Sequence, residues 1–241
     1  MKYRAFIDET PLRVFQDGIL TWYQSFGRDL PWRHTRNPYH ILVSEIMLHQ
    51  TTVKTVIPVY LAFLDRFPTI RHVFDAPLDD VKRITDPLGY KIRGQWLHAI
   101  AGVVVRRYGG EWPDTMEGLL DLPGVGRYTA GAILSFAFGH DAPIVDTNVK
   151  RLLGRYFGVD YQDPRAETRH HLWALSEAVI PFGHGPTFNQ ALLDMGAVIC
   201  TARRPACLIC PVAAACRQLQ GGGEGRAAET AAPYLLTGRE H

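Results

Sequence analysis

Apolar residues recur at helical spacing along most of this 241-residue chain, and Gly and Pro punctuate the intervals between them. Thr10-Pro11 reads as an N-cap followed by proline at the first helical position, and Val14, Ile19, Leu20, Tyr23 and Phe26 carry an apolar stripe to Gly27. Residues 29–38, DLPWRHTRNP, form a Pro-bounded loop rich in Arg and His. The next segment, 39–50, is apolar nearly all round apart from Ser44, Glu45 and its end, as expected of a buried helix. Further helices are predicted over 53–67 despite Pro58, over 77–84, and over 91–108, where Gly109-Gly110 ends the segment. The last three run over 149–157, 164–179 and 187–199. No stretch alternates with the period of a strand and no solenoid-length repeat is present, so the expected fold class is all-α.

Between 110 and 149 the pattern carries more than helix. Residues 116–121 place Leu119, Leu120 and, just beyond, Leu122 at helical apolar positions; Pro123-Gly124-Val125-Gly126-Arg127-Tyr128-Thr129 follows; then Ala130, Ile133, Leu134 and Ala137 resume the period. That order is helix, hairpin, helix. Two glycines one residue apart permit a tight turn in which positive φ carries no Cβ penalty, so successive amide N–H groups can point outward together. Such a turn can hold a phosphate without reading base edges. By itself it fits an ordinary connection equally well.

Glu45 lies among Ile41, Leu42 and Leu48 on the apolar helix. A carboxyl in such surroundings has a raised pKa and can stay protonated near neutral pH, which suits a general acid; the same position also suits a buried ion pair.

Composition narrows the class. Aliphatic and aromatic residues make up 46% of the chain, enough for a sizeable core in one large domain or two lobes. The formal charge is only +2, so a nucleic-acid surface must come from local clustering and backbone donors rather than from a basic bulk. No run reaches the roughly 18 apolar residues of a membrane span, and the N-terminal MKYRAFIDETPLR lacks a signal-peptide core. The expected location is the cytoplasm, in association with the nucleoid.

All four cysteines, Cys200, Cys207, Cys210 and Cys216, lie close together in the last part of the chain with the spacing C-x6-C-x2-C-x5-C. Such clustering points to a metal site in a reducing compartment rather than to disulfides. Four thiolates can ligate tetrahedral zinc or an iron–sulfur cubane, and ligand count does not separate the two.

Three motifs together carry a resemblance from about Leu30 to Cys216: SEIMLHQT at 44–51, LPGVGRYTAGAILSFAFG followed by VDTNVKR, and the four cysteines. The chain resembles the helix-hairpin-helix DNA glycosylases, whose motif ends in an aspartate, here Asp146. The resemblance implies a bilobal all-α fold: an N-terminal helix in 1–28 packing with the cluster lobe, a helical barrel lobe with the hairpin in 29–138, and C-terminal helices and cluster loop in 139–217; the composition of 218–241, with GGGEGRAAETAA, predicts a low-complexity, flexible tail. The cysteine spacing agrees with the loop of endonuclease III and adenine glycosylases, which implies [4Fe–4S]. It further implies a single copy of the chain binding duplex DNA that carries a mispair, with the target base flipped out of the stack.

Site residues follow from the same resemblance. Asp146 stabilises the oxocarbenium-like sugar and a protonated Glu45 donates to the departing base. Tyr128 stands where the bifunctional lyases have lysine, which implies base removal without strand cleavage. Gln50, the hairpin residues Leu122, Gly124, Val125, Gly126 and Arg127, and Arg203 and Arg204 in the first cysteine loop are expected to contact DNA. Tyr90, in Leu88-Gly89-Tyr90, is the candidate wedge, although a tyrosine beside glycine often only anchors packing.

The excised base is divided between two readings. Ser44-Glu45, Gln50, LGY and RYTAGAIL are similar to adenine glycosylases acting opposite guanine or oxidised guanine, but Leu42 replaces their usual tryptophan, and their second, oxidised-guanine-reading domain has no counterpart in the 241 residues. PWRHTRNPYHIL, Thr51-Thr52 and RYFG resemble the short thymine glycosylases of T·G and U·G mispairs. Adenine is the favoured reading. A non-catalytic damage-binding module is disfavoured by the joint presence of Glu45 and Asp146, and an endonuclease III-like lyase by Tyr128.

Overall fold

The structure, a computed structural model, describes residues 8–221, so the tail expected from 218 lies outside the described residues beyond 221. The all-α expectation holds. The helices are α1 (Glu9–Phe26), α2 (Pro38–Leu48), α3 (Val53–Arg66), α4 (Ile70–Asp75), α5 (Leu78–Thr85), α6 (Ile92–Arg107), α7 (Met116–Leu120), α8 (Arg127–Phe136), α9 (Thr147–Phe157), α10 (Ala166–Val179), α11 (Gly185–Asp194) and α12 (Arg217–Gln220), with no strand among the described residues.

Two compact units divide the chain. The hairpin unit comprises Arg28–Ile144 and Ile180–Asn189; the cysteine unit comprises the residues up to Gly27, Val145–Val179 and those from Gln190 onward.

In the hairpin unit α2 is the central element, packed against α3, α6 and α8. Its sequence explains that position: Tyr39, Ile41, Leu42, Val43, Ile46 and Met47 are all buried, so no face of the helix is left for water. Asn37 caps it through a side-chain bond from the Tyr39 N–H, and Pro38 occupies the first turn where its missing N–H costs nothing. Around it α4 and α5 lie on α6, and α7 pairs with α8. Residues 70–75, not expected to be helical, form the short α4, too brief for periodicity to reveal.

In the cysteine unit α9 is flanked by α10, α12 and the π-turn Met195–Ile199 that ends α11. Helix α1 begins one residue before Thr10, with Asp8 at the N-cap position and Pro11 inside the first turn. Its buried face is Leu12, Phe15, Gln16 and Ile19, a strict helical quartet, rather than a stripe through Val14 to Phe26; Phe26 is exposed. The Phe15 ring packs tilted against Tyr156, centroids 4.5 Å apart, and the Tyr156 hydroxyl donates to the Pro11 carbonyl at 2.8 Å, tying α1 to α9.

Candidate functional site

In the hairpin unit the turn between α7 and α8 is built as a shelf. Thr115 caps α7, and Leu119, Leu122 and Val125 are buried beneath the turn, whereas Leu120, expected on the same apolar face, is exposed. Leu122 and Val125 therefore point into the core and can offer a ligand only backbone. Gly124 adopts φ +75, and a Cβ there would meet the Trp96 ring at 2.5–2.8 Å. Gly126 differs from the expected pair of left-handed glycines: its φ is −97 with ψ 177, ordinary extended backbone, and nothing lies within 4 Å of a Cβ built on it. Glycine at 126 is not required by the protein's own packing. It leaves a bare, exposed start to α8, which has no side-chain cap, and Arg127 follows it at the surface.

The end of α2 adjoins that shelf. His49 packs edge-on against Trp96 at 6.0 Å, and Tyr90 does the same at 5.7 Å, so one indole connects the 49–51 turn, the Leu88–Tyr90 loop and Gly124. Tyr90 is 37% exposed beside Gly89, whose φ is +92 with open space around it. Gln50 is exposed and, at φ +55, is the one non-glycine residue in the left-handed region among the described residues. A conformation that costs about 1–3 kcal/mol persists only where its surroundings impose it. Further back on α2, Glu45 is buried, at 5% exposure.

In the cysteine unit Asp146 is the N-cap of α9 and is half-buried. One carboxylate oxygen accepts from the Val149 N–H at 2.6 Å and the other from Asn148 Nδ2 at 3.0 Å. Burial raises its pKa above the usual 3.8 although these donors and the nearby Arg151 guanidinium oppose the shift. The Asn148 amide oxygen in turn accepts from Arg151 Nη2 at 2.9 Å, and Arg151 donates on to the carbonyls of Gly196 and Cys200 at 2.7 and 2.8 Å. Gly196 permits this close approach, since a Cβ there would lie 2.7 Å from that of Asn148. Neither Asn148 nor Arg151 was singled out by the sequence, although both lie in the VDTNVKR stretch.

The four cysteines are half-buried free thiols. Burial pushes Cys210 up to about 11, and the neighbouring thiols raise Cys207, Cys210 and Cys216 further, so the four lie within electrostatic range of one another. Among the described residues no group of three or more His, Cys, Asp or Glu closes to the spacing of a single metal ion. Arg155 organises the loop, donating to Cys200 Sγ at 3.5 Å and to the carbonyls of Thr201 and Ala202 at 2.7 and 2.9 Å, while Arg203 and Arg204 stand exposed on it.

Residues 43–178 match the model of the HhH-GPD superfamily of base excision DNA repair proteins. The chain belongs to this superfamily. As an HhH-GPD protein it is similar to the adenine DNA glycosylase of Buchnera aphidicola subsp. Baizongia pistaciae, at 43% identity over 85% of the chain and 58% of that protein. It is likewise similar to the thymine/uracil-DNA glycosylase of Methanothermobacter thermautotrophicus, at 38% identity over 85% of the chain and 92% of that protein. Among solved structures, a thermostable thymine-DNA glycosylase superposes with a TM-score of 0.82 at 36% identity, covering 88% of this chain and 98% of the other. The HhH-GPD fold expected from the motifs is thereby established. The chain spans little more than half the length of the adenine glycosylase.

Proposed function

We propose that this chain is a monofunctional DNA glycosylase that hydrolyses the N-glycosidic bond of a flipped adenine mispaired with guanine or oxidised guanine. The observation that carries the reaction is Asp146: a half-buried carboxylate held by two hydrogen bonds at a helix N-cap cannot turn away from charge that develops near it. As the C–N bond breaks, its electron pair leaves with the base; Glu45 delivers a proton to the departing ring, Asp146 stabilises the sugar cation, and water completes the hydrolysis. Tyr128 carries no amine at the position where the superfamily's lyases form a Schiff base, so the product strand stays intact. The 43% identity to an adenine glycosylase supports the choice of base.

Thymine or uracil opposite guanine is the second reading. It is favoured by the thymine-DNA glycosylase superposition and by Leu42 and Thr51-Thr52.

Duplex DNA with a mispair is the partner in this reading, held through the bare start of α8 and by Arg127, Arg203 and Arg204, with Gln50 contacting the duplex and Tyr90 as the wedge that enters the stack. The donor set in the last loop fits a [4Fe–4S] cluster: four half-buried thiols on one short segment, with the Arg155 guanidinium donating to Cys200 Sγ at 3.5 Å. Cys200, Cys207, Cys210 and Cys216 would hold it, and what it supplies is a rigid crosslink of the loop that carries Arg203 and Arg204.

Single-turnover incubation with A·G, A·oxidised-G, T·G, U·G and oxidised-pyrimidine duplexes tests the reading. Strand cleavage only after alkali, and only on adenine strands, is the expected result; cleavage of T·G or U·G strands moves the protein to the thymine class, and cleavage without alkali overturns the monofunctional assignment.

A pH dependence follows from Asp146. Its pKa is raised by burial, so it remains protonated to a higher pH than an exposed aspartate, and the ionised form that stabilises the cation is lost as pH falls through that raised value. The acid limb of the base-release rate should therefore lie above 3.8 in protein that circular dichroism shows to be folded. A rate undiminished down to 3.8 would remove Asp146 from the chemistry.

A further inference from the structure

Arg93 is the largest fully buried side chain among the described residues, and the reaction proposed above gives it no role. It stands second in α6, at the start of the buried face that continues through Leu97, Ile100, Ala101 and Val104. A buried guanidinium is tolerated only where its donors find acceptors. These do: Nε donates to the Ile46 carbonyl at 3.1 Å, Nη2 to the His49 carbonyl and to Thr51 Oγ1, the latter at 2.5 Å, and Nη1 to the Tyr90 carbonyl at 3.4 Å. The guanidinium also lies 5.5 Å from the centre of the Tyr90 ring. Thr51 Oγ1 reaches the Leu88 carbonyl at 3.4 Å, which closes the set.

The acceptors fall on both sides of Gln50, the residue in the left-handed conformation, and on the loop that presents Tyr90. Carbonyls at 46 and 49 and a hydroxyl at 51, fixed to one rigid planar fork, leave residue 50 little choice of backbone direction. We propose that Arg93 is a positioning residue for DNA engagement: its buried fork imposes the strained turn at Gln50 and locks it to the Tyr90 loop, so that both side chains are presented to the duplex as one preformed surface. This rests on the reading of Gln50 as a DNA contact and Tyr90 as the wedge. The strain at Gln50 is then stabilised from within the protein before DNA arrives, which is the condition for a wedge that acts without reordering.

The test compares Arg93→Met and Arg93→Lys with the unaltered protein on a mispaired duplex carrying 2-aminopurine beside the mispair. Fluorescence reports unstacking without requiring chemistry. Arg93→Met is expected to keep affinity for undamaged duplex within about twofold and to lose roughly tenfold or more in unstacking and in single-turnover base release, the scale of a misplaced reacting group. Arg93→Lys, which keeps the charge but not the fork, should recover little of this. Because removal of a buried guanidinium also lowers stability, a double-mutant cycle with Gln50→Asn gives a reading that unfolding alone does not move. Asparagine accepts the left-handed region more readily than glutamine, so the Arg93→Met defect should shrink in that background.

Crystal structures of the Arg93→Met protein decide the matter independently of activity. Gln50 leaving φ near +55 supports the proposal. Gln50 staying there, or an additive cycle, overturns it. If the unaltered protein unstacks no 2-aminopurine and releases no base, the reading of Gln50 and Tyr90 has failed, while the backbone angle still judges Arg93.

Discussion

Asp146→Asn is expected to fold, to bind mispaired duplex as the parent does, and to release base about 10²–10³-fold more slowly. The two halves of this prediction come from two uses of one side chain. As the N-cap of α9, Asp146 accepts from the Val149 N–H, and asparagine caps a helix about as well as aspartate. The amide oxygen can keep that bond. As the stabiliser of a sugar cation, the carboxylate contributes its charge, and the amide has none. Stability even moves the other way. Burial raises the Asp146 pKa, so at neutral pH the fold carries the cost of an ionised group that would rather be protonated, and that cost is relieved in the neutral variant. The melting temperature at pH 7 should accordingly equal or exceed that of the parent, and the gap should narrow as pH falls toward the raised pKa and the parent takes up its proton. Release of base at the parental rate would sink the assignment of Asp146; a collapsed melting temperature would show that the cap, not the chemistry, had been measured.

Substitution of the two hairpin glycines should separate fold from function. At Gly124 an added methyl meets a left-handed backbone and the Trp96 ring together, so Gly124→Ala should cost about 1–2 kcal/mol for the backbone and about 1–3 kcal/mol more for overpacking. Through Trp96 the damage reaches His49 and Tyr90, so base release should fall with stability. At Gly126 the same methyl meets nothing. Thermal stability of Gly126→Ala should stay within about 0.5 kcal/mol of the parent. Duplex affinity should weaken roughly tenfold and equally for all sequences, because backbone amides that grip a phosphate read no base. Unchanged affinity in a folded Gly126→Ala protein would mean that the start of α8 does not touch DNA.

Most of the helices were legible because their periodicity runs long enough to count, and α2 was legible for lacking any polar face. The hairpin could be located but not resolved: a Gly-x-Gly spelling does not say which glycine turns the chain and which stays bare, since that depends on where Trp96 arrives from a helix well upstream. Asp146 was reached through its motif, but its bond to Asn148, and through Arg151 to the Cys200 carbonyl, joins residues 49 positions apart and leaves no periodic trace. Arg93 did leave one. It continues the apolar stripe of α6 at a position where a hydrophobe is expected, and a charge on such a stripe marks a place where several backbone carbonyls converge. The short α4 left none, because six residues give too few turns for a period to emerge.

The double duty of Asp146 also bears on how related chains are compared. A descendant that lost the chemistry would still need its helix started, and serine, threonine or asparagine would start it nearly as well. Loss of activity in this lineage would therefore leave a quiet mark: a replacement at 146 that any tally of conservative changes passes over, in a protein that folds, melts and binds much as its ancestor did.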